Sequence, residues 1–204
     1  MKNLFFISCI LFSFVLFQSC QNGGKSNEQK ADSINASNEP MVKDASDFMV
    51  EASIINLTEI NLGKIAKTQA SSSRVKNYAS MIVSDHKKLQ SKLQKLANKE
   101  HVAIPDSLSK NNRSDISDLQ EKNERATNKL FIKDMITGHK KAIKTFEKAA
   151  ENKDIQNQAL RDYIKNALPG LKAHQDSAQS IKKDLDMDMS QLKKSTPTIP
   201  IPRP

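Results

Sequence analysis

The apolar residues between positions 74 and 99 recur at alternating spacings of four and three. These positions, with one histidine among them, are Val75, Ala79, Ile82, His86, Leu89, Leu93 and Leu96. A period of 3.5 residues is typical of an α-helix that buries a narrow apolar stripe against other helices. We therefore predict a helix here, and we call such a line of inward-facing positions a seam.

The same spacing recurs in three other stretches of the chain. It predicts four helices, over residues 46–69, 74–99, 115–151 and 155–192. Only a short turn separates the first two, so we expect antiparallel neighbours, with Ser73 capping the second helix. Pro169 lies inside the fourth helix and predicts a kink. Aromatic residues make up only 5% of the chain, and alternating β-branched runs are scarce. The sequence predicts an all-α, antiparallel four-helix bundle over residues 44–194.

Each of the four seams contains one polar residue in place of an apolar one. These residues are Glu59, His86, His139 and His174. A buried charge or imidazole without a partner is costly, so we expect the four side chains to face one another. Either they form a hydrogen-bonded network that fixes helix register, or they bind a transition metal such as iron, manganese or zinc. In the second case Asp85 is a flanking ligand or a hydrogen-bond partner of a ligand. His101, outside the seams, is expected at the surface.

Two features count against the metal site. Di-iron bundles carry a Glu-x-x-His pair on each of two helices, and no carboxylate precedes His86 or His174 by three residues. His139 also lies about thirteen residues before the predicted turn and His174 about twenty after it, which is a mismatch of ~10 Å in depth. No P-loop, HExxH or nucleophile-elbow motif predicts a catalytic residue.

The N-terminal residues have the pattern of a secretion signal. Residues 1–19 combine a basic start with an apolar run, which predicts a signal peptide, and Phe17-Gln18-Ser19-Cys20 resembles a bacterial lipobox. The resemblance implies lipid attachment at Cys20, and therefore a membrane-anchored protein of the bacterial envelope, at the outer membrane facing the periplasm. The alternative is an ordinary cleaved signal. We expect residues 20–43 to be a flexible tether without secondary structure, and the proline-rich residues 195–204 to be a disordered tail.

Charge and cysteine content exclude several kinds of site. The formal net charge of +9 comes from 32 basic and 23 acidic residues that are mixed along the helices, so a nucleic-acid partner is not predicted. Both cysteines lie within the first twenty residues. The bundle therefore has neither a disulfide nor a thiolate ligand to offer.

Several motifs around the polar seam residues occur in a characteristic order. They are Leu62-Gly63-Lys64-Ile65-Ala66 after Glu59, Met81-Ile82-Val83-Ser84-Asp85-His86, Asp134-Met135 with His139, and Ala167-Leu168-Pro169-Gly170-Leu171-Lys172-Ala173-His174. Over residues 47–181 the chain resembles the bacterial domain of unknown function 4142 family, whose members are secreted or envelope proteins of the ferritin-like superfamily. The resemblance implies a ferritin-like bundle but no ferroxidase activity, because the family's function is unassigned. Members often carry Phe-Asp where this chain has Thr127-Asn128, and an asparagine is the weaker ligand.

These observations predict a lipid-anchored envelope protein with a non-enzymatic role in binding or in supporting a partner. The alternative is a metal-storage protein or oxidoreductase that uses the four polar seam residues. A protein partner is not identified by the sequence.

Overall fold

The computed structural model describes residues 26–36, 40–110 and 113–195. Within these ranges the chain forms six α-helices and no strand, which confirms the all-α class. The helices are α1 (Asn27–Asn35), α2 (Pro40–Gln69), α3 (Ser73–Lys99), α4 (Ser114–Gln120), α5 (Glu124–Glu151) and α6 (Gln158–Ser195). None of the helices in the described part is long and apolar enough to cross a membrane. The predicted signal peptide, Cys20 and the tail after residue 195 lie outside the described residues.

The four long helices contact one another in a ring. Helix α2 packs against α3 and α5, and α6 packs against α5 and α3. The apolar core between them has two clusters, one around Phe48, Phe146 and Leu160, the other around Ile82 and Phe131. Along each long helix the polar seam residue falls between the members of one cluster and those of the other. The four seams therefore place a polar layer across an otherwise apolar core.

Gly63 allows α2 and α3 to approach closely. A Cβ atom at this position would lie 2.8 Å from Val83 Cγ2 and 3.2 Å from the Ala79 carbonyl oxygen. Because one of these neighbours is backbone, the helices would have to move apart. This close approach explains a glycine in the interior of a helix, where it otherwise destabilises.

Replacing Gly63 with alanine is expected to lower the free energy of unfolding by about 1 kcal/mol, because the cost of overpacking exceeds the gain in helix propensity. The matched control is Gly170→Ala, since nothing lies within 4 Å of a Cβ at Gly170. That change should raise stability by up to about 1 kcal/mol. Urea unfolding of both variants measures the difference, and effects of the same sign would contradict the close contact at Gly63.

The prediction that residues 115–151 form a single helix is wrong. This stretch is divided into α4 and α5 by residues 121–123. Asn123 has an extended backbone, and its Oδ1 accepts a hydrogen bond from Ala126 N at 3.0 Å. An asparagine that caps a helix in this way starts a new one. The seam of α5 follows the cap, whereas α4 contributes the buried Leu119 to the core.

The prediction that residues 20–43 lack secondary structure is also wrong for the described part of this range. Helix α1 begins with a capping box in which Ser26 and Gln29 bond each other's backbone. Its Asn35 is buried and forms two hydrogen bonds with the backbone of Ala103, one at its N–H and one at its carbonyl. Helix α1 is therefore held against the segment that follows α3, and α2 already begins at Pro40.

Three smaller predictions concern single residues. The cap of α3 is Ser72 rather than Ser73, since the Ser72 hydroxyl accepts from Val75 N. His101 is exposed, as predicted. Helix α6 continues through Pro169 without a break, and the kink at this residue stays a prediction.

Candidate metal centre

The three seam histidines come together in the polar layer of the core. His86 and His139 are fully buried, and His174 is 6% exposed. Their ring centroids lie 5.6 Å (His86–His139), 5.5 Å (His86–His174) and 5.3 Å (His139–His174) apart. One ring nitrogen from each lies within 4.8 Å of the others. The spacing suits three ligands of one metal ion.

The mismatch in depth that the sequence predicted for His139 and His174 is not observed. Helix α6 begins at Gln158, later than predicted, which removes three residues from the count. Side chains on a helix also point toward its N-terminus. Because α5 and α6 are joined by a short link and pack together, they run in opposite directions. The His139 ring therefore moves away from the link and the His174 ring toward it, and the two meet.

Glu59 adds a carboxylate to the three imidazoles. Its Oε2 lies 2.8 Å from His86 Nε2 and 3.2 Å from His139 Nε2, and the residue is only 3% exposed. Neither carboxylate oxygen has a hydrogen bond of acceptable geometry within the described residues. The atoms are thus close to one another without being arranged as donor and acceptor.

The other nitrogen of each histidine ring has an acceptor outside the polar layer. His86 Nδ1 lies 3.0 Å from Asn56 Oδ1, His139 Nδ1 lies 2.9 Å from the Met135 carbonyl oxygen, and His174 Nε2 lies 3.3 Å from Asp85 Oδ2. An oxygen that only accepts requires the facing nitrogen to donate, so each ring carries its proton on the outward side. The inward nitrogens of the neutral rings are then lone pairs.

With all three rings neutral, the polar layer would lack positive charge. The inward atoms, His86 Nε2, His139 Nε2, His174 Nδ1 and both Glu59 oxygens, are buried and have no hydrogen-bond partner in the described part of the chain. Lone pairs that face a carboxylate at 2.8 Å repel it unless a cation lies between them. Either an additional proton or a metal ion can supply that charge. Outward hydrogen bonds that fix the ring tautomer are the usual environment of histidine ligands to a metal.

The pKa values of these groups favour the form that binds a metal. Burial raises the pKa of Glu59, but attraction to protonated His86 and His139 outweighs it and brings the pKa below its ordinary value. Burial lowers the pKa of His139. Burial, together with the charges of the other two histidines, lowers the pKa of His174 to about 4. A metal ion binds the ionised carboxylate and the neutral imidazoles, so its binding would release any proton that these groups share.

A family model described as Domain of unknown function (DUF4142) matches residues 30–181 of this chain, about three quarters of its length. The chain belongs to the DUF4142 family. This confirms the resemblance seen in the sequence and extends it into α1. The matched range includes all four residues of the polar layer, and the description assigns no function. No curated protein and no solved structure matches the chain.

In this DUF4142 chain, Asp85 and Asn128 do not lie where ligands of the candidate metal would lie. Asp85 accepts from His174 and pairs with Lys88 at 3.0 Å, so it is a hydrogen-bond partner of a histidine. Asn128 Oδ1 accepts from the backbone of Ser71 and Ser72 at 3.1 and 3.2 Å. It therefore holds the α2–α3 turn, and the exchange of aspartate for asparagine there does not remove a ligand from the polar layer.

Sequence reasoning missed the residues that orient His86. Asn56 lies one turn before Glu59 on α2 and is 1% exposed. Its amide nitrogen contacts Gln90 at 3.3 Å and the Tyr163 hydroxyl at 3.4 Å. A buried asparagine on the same helix face as a buried glutamate was the available signal. Its role as acceptor for His86 depends on contacts that only packing supplies.

Proposed function

We propose that this protein is a metal-binding helical bundle of the bacterial envelope, with one transition-metal ion held by His86, His139, His174 and Glu59. The observation that supports it best is the orientation of the three imidazoles. The outward nitrogen of each ring lies beside an oxygen acceptor. The inward nitrogens of His86 and His139 lie 2.8 and 3.2 Å from Glu59 Oε2, and that of His174 is buried without a hydrogen-bond partner in the described residues. A register-fixing network would satisfy these inward atoms with protein donors, and in the described residues it does not.

The chemistry of the ligands favours a mononuclear centre. Three imidazoles and one carboxylate complete the tetrahedral coordination of zinc, and a site with four protein ligands holds its metal without an open position for catalysis. This supports a non-enzymatic role such as metal storage or buffering. Iron and manganese accept more ligands and would add redox chemistry. A bound metal of that kind would favour the oxidoreductase alternative.

The fold and location are part of the same proposal. The ring of contacts among the four long helices, with one site residue from each, supports an antiparallel four-helix bundle of the ferritin-like type. The lipobox-like residues 17–20 support lipid attachment at Cys20 and a position at the outer membrane, facing the periplasm.

Globomycin, which blocks the lipoprotein signal peptidase, should cause a larger precursor to accumulate. Replacement of Cys20 with alanine should release the protein from membranes.

The metal content of the full-length chain, purified in detergent without chelators, tests the centre. We expect about one equivalent of zinc, iron or manganese per chain after titration, and close to none in the double variant His86→Ala, His139→Ala, which removes two of the four ligands. Elemental analysis measures both. The identity of the retained metal then separates a closed holding site from a redox centre.

His101→Asn is the matched control for the loss of a histidine. His101 is exposed and has a positive φ of 53°, which asparagine tolerates. This variant should retain the metal. A chain that binds no metal, or a double variant that binds as much as the wild type, would contradict the proposal. The alternative, a hydrogen-bonded network that fixes helix register, would then be favoured.

A further inference from the structure

A cavity of about 440 Å³ lies between α2, α4 and α5, on the side of the polar layer away from α6. Its wall includes Thr58 and Glu59 from α2, Asp115 from α4, and Asp134 and Gly138 from α5. Of these residues, Glu59 is the one that also contacts the histidines. The cavity therefore connects the surface around α4 with the candidate metal centre through a single carboxylate.

The two oxygens of Glu59 face different neighbours. Oε2 is the atom near His86 and His139. Oε1 lies beside Gly138, since a Cβ atom built there would be 3.3 Å from it. This oxygen is buried without a hydrogen-bond partner in the described residues. A buried carboxylate oxygen that borders a cavity and lacks a donor is a point where a cation is attracted.

Gly138 keeps this end of the cavity open. It lies in the interior of α5 with an ordinary helical φ, and no atom other than Glu59 Oε1 lies within 4 Å of a Cβ at this position. A glycine here costs about 1 kcal/mol of stability relative to alanine. Its backbone conformation does not require glycine, but the closeness of Glu59 Oε1 leaves little room for a side chain. The space beside Gly138 brings the cavity up to Glu59, whose carboxylate oxygens are themselves buried.

Two aspartates line the outer part of the same cavity. Asp115 is exposed and Asp134 is half-buried. Burial, together with the negative charge of Asp115, raises the pKa of Asp134 to about 6. Lys133 and Lys141 also border the cavity, but like Asp115 they are exposed, where solvent screens their charge. The half-buried charged residue in this part of the cavity, Asp134, is therefore acidic.

We propose that this cavity is the route by which a divalent metal cation reaches the centre, with Asp115 and Asp134 attracting the ion and Glu59 passing it to the histidines. The inference rests on the proposed metal centre and specifies its access. In this arrangement Glu59 contacts the arriving ion through Oε1 and the ligated ion through Oε2. No bond other than metal–ligand contacts forms or breaks.

The rates of Co²⁺ binding and release test the route. Visible absorption after rapid mixing measures loading of the metal-free full-length chain. The loss of that absorption after addition of EDTA measures release. Gly138→Val should slow both rates by about tenfold while the dissociation constant changes much less, because a blocked route slows passage in both directions equally. Asp134→Asn should slow binding alone by a similar factor at low salt, with a smaller effect at high salt.

Matched controls separate the route from general effects of substitution. Gly170→Val places the same side chain on an open helix surface, and Asp154→Asn removes an exposed charge in the α5–α6 link. Both should load at the wild-type rate. Gly138→Ala, a smaller change, serves if the valine variant does not fold, and should slow both rates in the same direction.

The outcomes distinguish this inference from the proposed centre. Wild-type protein that shows no Co²⁺ absorption overturns both. Wild-type binding with unchanged rates in the Gly138 and Asp134 variants overturns the route and leaves the centre intact. A change in the dissociation constant of the Gly138 variants without slower loading also overturns the route, because it would mean only that Glu59 had been displaced.

Discussion

Addition of Zn²⁺ to the metal-free protein is expected to raise its melting temperature by about 10 °C. A ligand that binds only the folded state stabilises it by about 4 kcal/mol at a thousandfold excess over the dissociation constant. In a chain of this size, each kcal/mol shifts the melting temperature by about 2–4 °C. Differential scanning calorimetry of the full-length chain, with and without metal, measures the shift.

The Glu59→Gln variant should lose much of this stabilisation. It keeps the shape of the side chain but removes the negative charge beside His86 and His139. A tenfold weaker affinity reduces the stabilisation by about 1.4 kcal/mol. His101→Asn should respond as the wild type does. An equal shift in the wild type and in the His86→Ala, His139→Ala variant would mean that Zn²⁺ acts elsewhere on the chain.

The stabilisation by Zn²⁺ should also depend on pH in one direction. A proton and the metal compete for the same inward nitrogen, and His174, with a pKa of about 4, takes up a proton only in acid. The metal-induced shift should therefore be full at neutral pH and should begin to decrease as the pH falls through about 4. A shift that stays constant well below that pH would contradict His174 as a ligand.

Replacing Phe146 with alanine is expected to lower the free energy of unfolding by about 3–5 kcal/mol. Phe146 is fully buried, its ring lies edge-on to Phe48 at 5.0 Å and it lies 6.1 Å from Tyr163. These contacts join α2, α5 and α6 in the core cluster on the other side of the polar layer from Phe131. Removal of the ring leaves a cavity that three helices cannot close together. Urea unfolding measures the loss.

The control for Phe146→Ala is Met187→Ala, because Met187 is 55% exposed. This change should alter stability by less than about 0.5 kcal/mol. The Phe146 variant, if it remains folded, should still bind metal, since the ring is one full turn or more from His139 on α5. Comparable stabilities of the two variants would contradict the packing of this cluster.

The seams of the long helices were readable from the sequence because a 3.5-residue period and the burial of one helix face have the same physical origin. Phe146, Ile82 and Leu160 lie in the core where the period placed them. The same period identified Glu59 and the three histidines as buried, because a residue at a seam position faces the neighbouring helices and not the solvent. Family membership was also readable, from motifs around these residues.

The arrangement of the polar layer depended on tertiary structure. Which ring nitrogen faces inward is decided by Asn56, the Met135 carbonyl and Asp85, and no spacing in the sequence pairs them with the histidines. The docking of α1 through Asn35 and the space beside Gly138 likewise depend on single side-chain contacts between distant segments. A periodic pattern records how much of a helix face is buried, averaged over many residues. The direction of a proton or a lone pair is set by one neighbour, and only packing determines which neighbour that is.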